Sequence, residues 1–376
     1  MLQFAFRRLA HRLIVASLLG ASLSLFLIWF AVQENERDAG LGVVATSWQD
    51  ETFFVVGQHL YRLDDRGGLI ESYQLDTLGI RGDVSDMSLG SDRLLIVEDN
   101  RVVHRCLLDG VRCLPVLTLP SDGSRQVVVE FAEEEGRFYL GRLDHLQVYG
   151  LDGRLLNTIE LDVALSSPGQ LVWLGLGHLL VVDRVQHRVI VMRDLGDGAS
   201  KIVEEYDFRK LAGLGRRSEP LSAMRDHHGQ TWVLSRQSPR QPAKLMFFDR
   251  FGQPGGWVDL GAGVSPRDLA LHSDFLLVSD VRNGRLLSVS LSNREVQLFG
   301  EEVLHALLGD LQGKQKRRQF IYLFGLVGLS VSALLGFTAA WLLRRARDES
   351  EMRRMIMEEP VGDRERRSRP RLNSEA

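Results

Sequence analysis

Two pairs of residues in this chain have the types and the spacing to do chemistry: Cys106 with Cys113, and His227 with His228. The cysteines bracket Leu-Leu-Asp-Gly-Val-Arg, and an Asp-Gly dipeptide between apolar runs favours a tight β-hairpin turn. Such a hairpin places the two cysteines opposite each other, at a separation that a disulfide tolerates. We therefore predict a Cys106–Cys113 bond, formed in an oxidising compartment, with two free thiols as the alternative.

The histidine pair does not predict a metal site. Adjacent residues of a strand point to opposite faces, and adjacent residues of a turn rarely converge on one ion. The chain also has no glycine-rich phosphate loop, no paired Cys motif and no Gly-x-Ser-x-Gly nucleophile elbow. The sequence therefore predicts no catalytic residue, no cofactor and no metal site.

Aromatic and basic side chains are concentrated in residues 206–220, a stretch that interrupts the regular repeat described below. Loops on a rigid scaffold commonly carry recognition, and aromatic and Arg side chains are favoured at protein interfaces. The predicted contacts with a partner are Tyr206, Phe208, Arg209, Arg216 and Arg217. The alternative is a tolerated surface excursion that binds nothing.

Two uncharged apolar segments, residues 13–32 and 320–343, have the length of membrane-spanning helices. At a rise of about 1.5 Å per residue, each crosses a hydrocarbon core of about 30 Å. Trp29, Phe320 and Trp341 lie near segment ends, where amphipathic rings prefer the membrane interface. A cleaved signal peptide is the alternative for the first segment, but its apolar run is longer than usual and no small-x-small site follows it.

Both segments carry small residues at four-residue spacing, which places them on one face of a helix. Small residues let helix backbones approach each other closely in lipid. The residues are Ala16, Gly20 and Ser24 in the first segment and Gly328, Ser332, Gly336 and Ala340 in the second. We predict that these faces pack against each other or against the helices of a partner.

The flanking charges predict the orientation. Three arginines precede the first segment and acidic residues follow it, so the amino terminus is cytoplasmic and the middle region is translocated. The predicted parts are a cytoplasmic N-terminus (1–12), a first span (13–32), a periplasmic or extracellular domain (41–300), a juxtamembrane linker helix (301–319), a second span (320–343) and a cytoplasmic charged tail (344–376). The expected location is the inner (plasma) membrane, crossed twice, with both termini cytoplasmic.

The region between the segments is a repeat of short β-type runs separated by Gly, Asp and Asn turns. Gly67, Gly110, Gly153 and Gly196 follow one another at intervals of 43 residues, and the next interval, to Gly252, is 56 residues. A period of about 40–45 residues with about four strands is typical of a β-propeller, in which neighbouring blades cover each other's apolar faces. We predict an all-β fold, a six-bladed β-propeller flanked by two transmembrane α-helices, with an insertion between blades four and five.

The fourth repeat contains Leu-Leu-Val-Val-Asp at residues 179–183 and Gln-His-Arg-Val-Ile-Val at residues 186–191. This text resembles the NHL repeat family, whose pattern has an Asp before an Asn-His-Arg-Val run, with Gln here in place of Asn. Asp280, Asn283 and Arg285 repeat this pattern in the sixth blade, whereas the other blades keep only the apolar skeleton. The resemblance implies a six-bladed propeller and no particular activity.

Six-bladed propellers include calcium-dependent lactonase-like hydrolases, so an enzyme is one alternative. Such sites gather several carboxylate and amide oxygens around a central Ca²⁺. Asp183 and Asp280 occupy positions that the repeat itself explains, and we find no set of acids at blade-entry positions that stands out from the period. We therefore predict a non-enzymatic protein.

The charge balance also restricts the partners. With 46 Lys+Arg against 49 Asp+Glu, the chain lacks the basic excess that nucleic-acid binding requires. The predicted partners are the lipid bilayer and one or more proteins of a membrane complex, and the predicted function is to bind a protein or envelope ligand. A ligand sensor that signals through the second span to a cytoplasmic partner is the second hypothesis, and a lactonase-like hydrolase is the third.

Overall fold

The computed structural model describes residues 2–35, 41–46, 51–108, 112–120, 126–142, 145–159, 168–196, 198–210, 218–236, 243–281, 283–300 and 302–357. The chain divides into two compact units, Asn35–Gln315 and a second unit made of Met1–Glu34 with Lys316–Ala376.

The first unit contains six four-stranded antiparallel sheets, each made of four consecutive strands, and these sheets are the blades of a propeller. Blade 1 is β1 (Leu41–Thr46), β2 (Thr52–Val56), β3 (His59–Leu63) and β4 (Leu69–Gln74). Blade 2 is β5 (Val84–Leu89), β6 (Arg93–Glu98), β7 (Val102–Leu107) and β8 (Arg112–Thr118). Blade 3 is β9 (Val127–Ala132), β10 (Arg137–Arg142), β11 (His145–Gly150) and β12 (Leu155–Ile159).

The remaining blades follow the same order. Blade 4 is β13 (Pro168–Gly175), β14 (His178–Asp183), β15 (Arg188–Asp194) and β16 (Ser200–Asp207). Blade 5 is β17 (Glu219–Arg225), β18 (Thr231–Arg236), β19 (Lys244–Phe248) and β20 (Pro254–Asp259). Blade 6 is β21 (Pro266–Leu271), β22 (Phe275–Asp280), β23 (Arg285–Ser290) and β24 (Val296–Leu298). Short 3-10 helices cover Leu75–Leu78 and Glu133–Glu135.

The apolar runs seen in the sequence form the second and third strands of the blades. The run from Thr52 to Val56 is β2 and is buried along its whole length, because blade 1 has a neighbour on each face. The outermost strand β4 is mostly exposed, because it ends the sheet. The all-β, six-bladed fold class is thereby confirmed.

The blades form a closed ring. Each blade's first strand contacts the first strand of the next blade, and β21 of blade 6 contacts β1 of blade 1, so these strands surround the central channel. Among the described residues, each of the six blade-to-blade seams contains a hydrophobic cluster. Burial of apolar surface between blades therefore stabilises every seam, including the seam that joins the two ends of the chain.

Two of the periodic turn glycines, Gly67 and Gly153, lie where one blade touches the preceding one. At Gly153, in the β11–β12 turn of blade 3, φ is +80° and an added Cβ would lie 1.9 Å from the carbonyl oxygen of Val116 in blade 2. At Gly67, in the corresponding turn of blade 1, an added Cβ would lie 2.3 Å from the Cα atom of Gly300, just after blade 6. Both the positive φ and the close approach exclude a side chain at these two positions, whereas at Gly196 the positive φ of +89° alone favours glycine.

Two helices accompany the propeller: α1 (Leu2–Asn35) and α2 (Glu302–Met357). Each contains a stretch long and apolar enough to cross a membrane, Arg8–Trp29 in α1 and Phe320–Met352 in α2. Helix α2 runs without a break from the end of blade 6 through this apolar stretch.

The first turns of α2 belong to the ring-closing seam. Leu304 and Leu308 are 1% and 3% exposed and pack with Phe299 in the cluster between blades 6 and 1. That cluster includes Phe54 and Tyr61 of blade 1, so side chains of α2 fill part of the space between the first and last blades.

Candidate functional site

The central channel contains polar side chains from strands that are otherwise largely apolar. The first strands of blades 2 to 6 each contribute one near the middle of the strand: Asp86, Glu130, Gln170, Ser222 and Asp268. These residues are far apart in sequence and are brought together because their strands are neighbours around the ring.

These side chains form a relay of hydrogen bonds from blade to blade. The backbone N–H of Val129 donates to Asp86 Oδ2 over 2.7 Å, and the backbone N–H of Trp173 donates to Glu130 Oε1 over 2.8 Å. The same relation joins the later blades: Ala223 N donates to Gln170 Oε1 over 2.7 Å, and Leu269 N donates to Ser222 Oγ over 3.0 Å.

The relay has a structural reason. A blade's first strand is the edge of its sheet, and its outward N–H groups have no neighbouring strand in that sheet to accept their hydrogen bonds. Acceptor side chains of the preceding blade satisfy these donors, which are costly to bury unpaired. Ser88 does this as well: its Oγ accepts from the backbone N–H of Phe131 and donates to Glu130 Oε2, each over 2.9 Å.

Burial in the channel changes the acidity of two relay carboxyls. It raises the pKa of Glu130 to about 7, although the hydrogen bonds from Trp173 and Ser88 act in the opposite direction. It also raises the pKa of Asp86 well above its ordinary value, and the nearby carboxyls of Asp268 and Glu130 add to this shift. In the part of the chain that the structure describes, no Lys, Arg or His forms an ion pair with either Glu130 or Asp86.

One end of the channel opens into two adjoining cavities. The first has a volume of about 330 Å³ and reaches the relay residues Asp86, Gln170 and Asp268. The second has a volume of about 400 Å³ and shares Gln126 and Arg184 with the first. The first cavity is also lined by Ser85, Asn100, Gly169, Leu221 and Arg267, and the second by Val185, His187 and Glu219.

The walls of this opening are held by interactions between blades. Arg184 in the β14–β15 turn of blade 4 donates to Glu219 Oε1 at the start of blade 5, with Nη2 at 2.6 Å. Its Nη1 lies 3.5 Å from Oε1 of Gln126, which precedes blade 3. Gln126 in turn donates to the carbonyl oxygen of Gly169 over 3.1 Å, so three blades meet at the opening.

The sequence analysis missed the axial polar residues. Its statement that no set of acids stands out from the period is corrected: Asp86, Glu130 and Asp268 all lie in the channel. The available signal was a polar residue within an apolar first strand, as in Val-Val-Val-Glu-Phe-Ala of β9, recurring at about one repeat length. The search considered acids at strand ends, such as Asp183, and so passed over these positions.

The NHL-like residues serve the hairpins of their own blades. Arg285 Nε donates to Asp280 Oδ2 over 2.9 Å, and Asn283 Nδ2 donates to the same oxygen over 2.7 Å. In blade 4 the equivalent Arg188 and Asp183 form a buried ion pair at 3.4 Å. Among the described residues, no three His, Cys, Asp or Glu side chains lie close enough together to hold a metal ion.

The two cysteines are paired residues of neighbouring strands. Cys106 in β7 and Cys113 in β8 occupy the same register position with a Cα–Cα distance of 3.9 Å, and their sulfur atoms are bonded. Cys106 is fully buried in the seam between blades 1 and 2. The placement fits the predicted bond, whose formation in the cell remains a prediction.

The small residues of the two apolar helices face each other. An added Cβ at Gly20 would lie 2.5 Å from Ser332 Oγ, and Ser17 Oγ donates to the carbonyl oxygen of Ser332 over 2.7 Å. Gly328 approaches Ser24 in the same way, so residue numbers rise along one helix as they fall along the other and the pair is antiparallel. Gly336 approaches Ser17, whereas Ala16 and Ala340 are exposed.

The predicted partner surface needs correction at two residues. Tyr206 and Phe208 are 5% and 0% exposed and pack in the cluster between blades 4 and 5, where Phe248 contacts both rings. Tyr206 belongs to β16 rather than to a loop, so these aromatic residues complete the core and are not available to a partner. Arg209 is exposed and pairs with Asp207.

Arg216 and Arg217 lie outside the described residues. The added length also extends beyond 206–220, because β18 ends at Arg236 and β19 begins only at Lys244. In blade 4 the corresponding strands are closer along the chain, with β14 ending at Asp183 and β15 beginning at Arg188.

No protein-family model matches this sequence, and no curated protein matches it either. Comparison with solved structures does find propellers. A catalytically inactive H270A virginiamycin B lyase from Staphylococcus aureus, solved with quinupristin, has a TM-score of 0.51 at 12% identity, over 71% of this chain and 86% of that one.

Two further solved structures have a similar fold. A propeller in a nidogen/laminin complex has a TM-score of 0.48 at 15% identity, over 66% of this chain and 92% of that one. The Pan2 WD40 domain of Neurospora crassa has a TM-score of 0.47 at 11% identity, over 70% and 80% of the two chains. At these identities the likeness concerns the fold alone, and the protein is a six-bladed β-propeller with two terminal apolar helices.

Proposed function

We propose that this protein is a non-enzymatic, membrane-anchored propeller that binds a protein or envelope ligand as part of an inner-membrane assembly. The observation that carries the proposal is the pair of adjoining cavities at one end of the channel, about 330 and 400 Å³. Cavities of this size with a few convergent polar groups are typical of ligand sites. Deeper in the channel, the polar groups are engaged in the relay, which leaves the opening as the accessible surface.

The antiparallel helix pair supports anchoring at both ends of the chain. If both helices cross a membrane, an antiparallel pair places both chain termini on the same side of it. The arginines before the first span favour the cytoplasmic side for these termini, and the propeller is then periplasmic or extracellular. The Cys106–Cys113 pairing is consistent with an oxidising compartment.

Two measurements test this proposal. Reporter fusions at Ala376 and near residue 200 are expected to give cytoplasmic and non-cytoplasmic signals respectively, and a cytoplasmic signal near residue 200 would refute the topology. Purification of the full-length protein in mild detergent, followed by mass spectrometry, is expected to recover specific membrane or envelope proteins. Their absence, together with turnover of a bound small molecule, would refute the non-enzymatic binding role.

A second hypothesis, a ligand sensor, is favoured by the start of α2. Leu304 and Leu308 are buried in the ring-closing seam, and the same helix continues without interruption through the apolar stretch. A ligand that alters this seam would therefore act directly on the helix that leaves it. Cysteine accessibility at Arg347 and Glu351, measured with and without ligand in membrane vesicles, tests this: an unchanged labelling rate would count against sensing.

The calcium-dependent hydrolase is the third hypothesis, and no comparable observation favours it. The acids of the channel lie in a relay rather than in a cluster able to hold a metal among the described residues.

A further inference from the structure

The first cavity at the channel opening presents hydrogen-bond donors in fixed orientations. Oε1 of Gln170 accepts hydrogen bonds from Ala223 N over 2.7 Å and from Ser222 Oγ over 2.8 Å. Because the oxygen of this amide is fixed by the backbone donor, its nitrogen must point the other way. No described residue accepts a hydrogen bond from that nitrogen, and Gln170 lines the cavity.

Asn100 of blade 2 has the same arrangement and lines the same cavity. Its Oδ1 accepts from the backbone N–H of Val127 over 3.0 Å, which orients its amide nitrogen by the same argument. Arg267, at the start of β21, is exposed and lines the same cavity. Three donor groups from blades 2, 4 and 6 therefore surround one space of about 330 Å³.

Acceptors line the same cavity. Carboxyl groups of Asp86 and Asp268 reach it from blades 2 and 6. A ligand anion would meet these acids, and a ligand cation would meet Arg267, so neither charge fits the whole lining. A hydroxyl group both donates and accepts, and a ring of hydroxyls matches a lining in which donors and acceptors are mixed.

We propose that this cavity binds a neutral saccharide through Arg267, Gln170 and Asn100 as donors and Asp86 and Asp268 as acceptors. The inference rests on the proposed binding function and specifies its ligand class. The adjoining cavity of about 400 Å³, which shares Gln126 and Arg184, then accommodates a second sugar unit of a glycan chain.

The test is a titration of the full-length protein in lipid nanodiscs by saturation-transfer NMR and calorimetry. The probes are glucose, galactose, N-acetylglucosamine and its tetramer, with acetate and methylamine as charged controls. We expect saturable binding of at least one monosaccharide with a Kd of about 1–10 mM, and binding at least about tenfold tighter for the tetramer if the source is a glycan chain. Equal affinity for monomer and tetramer would assign the site to a free sugar.

Two variants and a matched control localise the site. Arg267→Gln removes an exposed guanidinium, and Gln170→Glu keeps the acceptor for the Ala223 N–H while it removes the amide donor. Each is expected to weaken binding at least about tenfold, whereas Arg193→Gln, exposed on β15 and absent from the cavity lining, is expected to have no effect. Because the exposed side chain of Arg267 makes no hydrogen bond or ion pair with the described residues, its variant remains informative if Gln170→Glu fails to fold.

Three outcomes would overturn the inference: no sugar saturating up to about 50 mM, acetate or methylamine binding as tightly as the sugars, or unchanged binding in a folded Arg267→Gln variant. The NMR spectra, which show whether a bound sugar is converted, and the co-purification experiment together distinguish failure of this inference from failure of the proposed function. A sugar that binds and is chemically converted would refute the non-enzymatic role and leave the site intact. Partners that co-purify with a protein that binds no sugar would leave the binding role and remove the site.

Discussion

The side-chain carboxyl of Glu130 accepts a hydrogen bond from the backbone N–H of Trp173 over 2.8 Å and thereby joins the first strands of blades 3 and 4. The bond connects residues one repeat apart, and equivalent bonds continue around the channel. In blade 3 an ionisable carboxyl therefore accepts the backbone hydrogen bond that an amide (Gln170) and a hydroxyl (Ser222) accept in blades 4 and 5.

Glu130 makes the stability of the propeller depend on pH. Its pKa rises from 4.5 to about 7 on folding, so between these values the folded protein keeps a proton that the unfolded chain has lost. The free energy of unfolding should therefore fall as pH increases from 4.5 to about 7 and then level off. The total decrease should be about 1–2 kcal/mol, because Glu130 is partly accessible to solvent. Urea unfolding at several pH values measures this dependence.

The matched variants for this prediction are Glu130→Gln and Glu134→Gln, the second on an exposed neighbour. Glu130→Gln should reduce the pH dependence in this window, to which Asp86 also contributes in the same direction, and Glu134→Gln should leave it intact. An unchanged profile for Glu130→Gln would contradict the assignment.

Replacement of Gly153 should destabilise the contact between blades 2 and 3. Gly153→Ala combines a positive φ with a Cβ only 1.9 Å from the carbonyl oxygen of Val116. Gly196→Ala is the control, because φ is +89° there and nothing lies within 4 Å of an added Cβ. We expect Gly196→Ala to cost about 1 kcal/mol and Gly153→Ala at least about 2 kcal/mol more, measured by chemical denaturation. Equal losses would show that the close approach between blades has no energetic weight.

The start of α2 should stabilise the ring. Leu304→Ala and Leu308→Ala each remove a buried side chain from the seam between blades 6 and 1 and are expected to cost about 2–4 kcal/mol. Gly309→Ala is the control on the same helix, since an added Cβ there meets open space and alanine favours helix. Thermal unfolding followed by near-UV circular dichroism reports the difference. A normal melting temperature for Leu304→Ala would mean that the ring closes without the helix.

The disulfide between Cys106 and Cys113 should protect both thiols in the protein as isolated. Thiol labelling of the unreduced, denatured protein is expected to find no reactive cysteine, and two reactive thiols would leave the bond unsupported. Because the closed loop is short, reduction should lower stability by at most about 2–3 kcal/mol. The variant with both cysteines replaced by serine should then show no response to reductant.

The contact between the two apolar helices can be tested by cross-linking. Gly20→Cys with Ser332→Cys, in a chain whose native cysteines are replaced, is expected to form a bond under mild oxidation, because an added Cβ at Gly20 lies 2.5 Å from Ser332 Oγ. Leu19→Cys with Leu334→Cys is the control, since these side chains are 68% and 71% exposed. Cross-linking of both pairs to the same extent would mean that the helices have no preferred face.

The sequence by itself determined the repeat and its parts. The runs at 52–56 and 275–278 appear as β2 and β22 because a strand between two blades is apolar on both faces, a property that a short stretch of sequence shows directly. The 43-residue glycine period was visible because Gly67, Gly153 and Gly196 each adopt a positive φ that favours glycine. The two apolar helices were equally clear, since length and lack of charge are local properties.

Only the tertiary structure decided which side chains meet. Tyr206 and Phe208 had the composition of an interface, yet they fill the seam between blades 4 and 5, because burial depends on what the next blade places against them. In the sequence, Glu130 interrupts a run of valines, and nothing nearby in the chain indicates its partner. In the ring it accepts a hydrogen bond from the backbone N–H of Trp173, on the first strand of the next blade. A pattern along one strand shows which residues prefer burial, whereas the partner of a polar group lies in another repeat, and only the closure of the ring selects it.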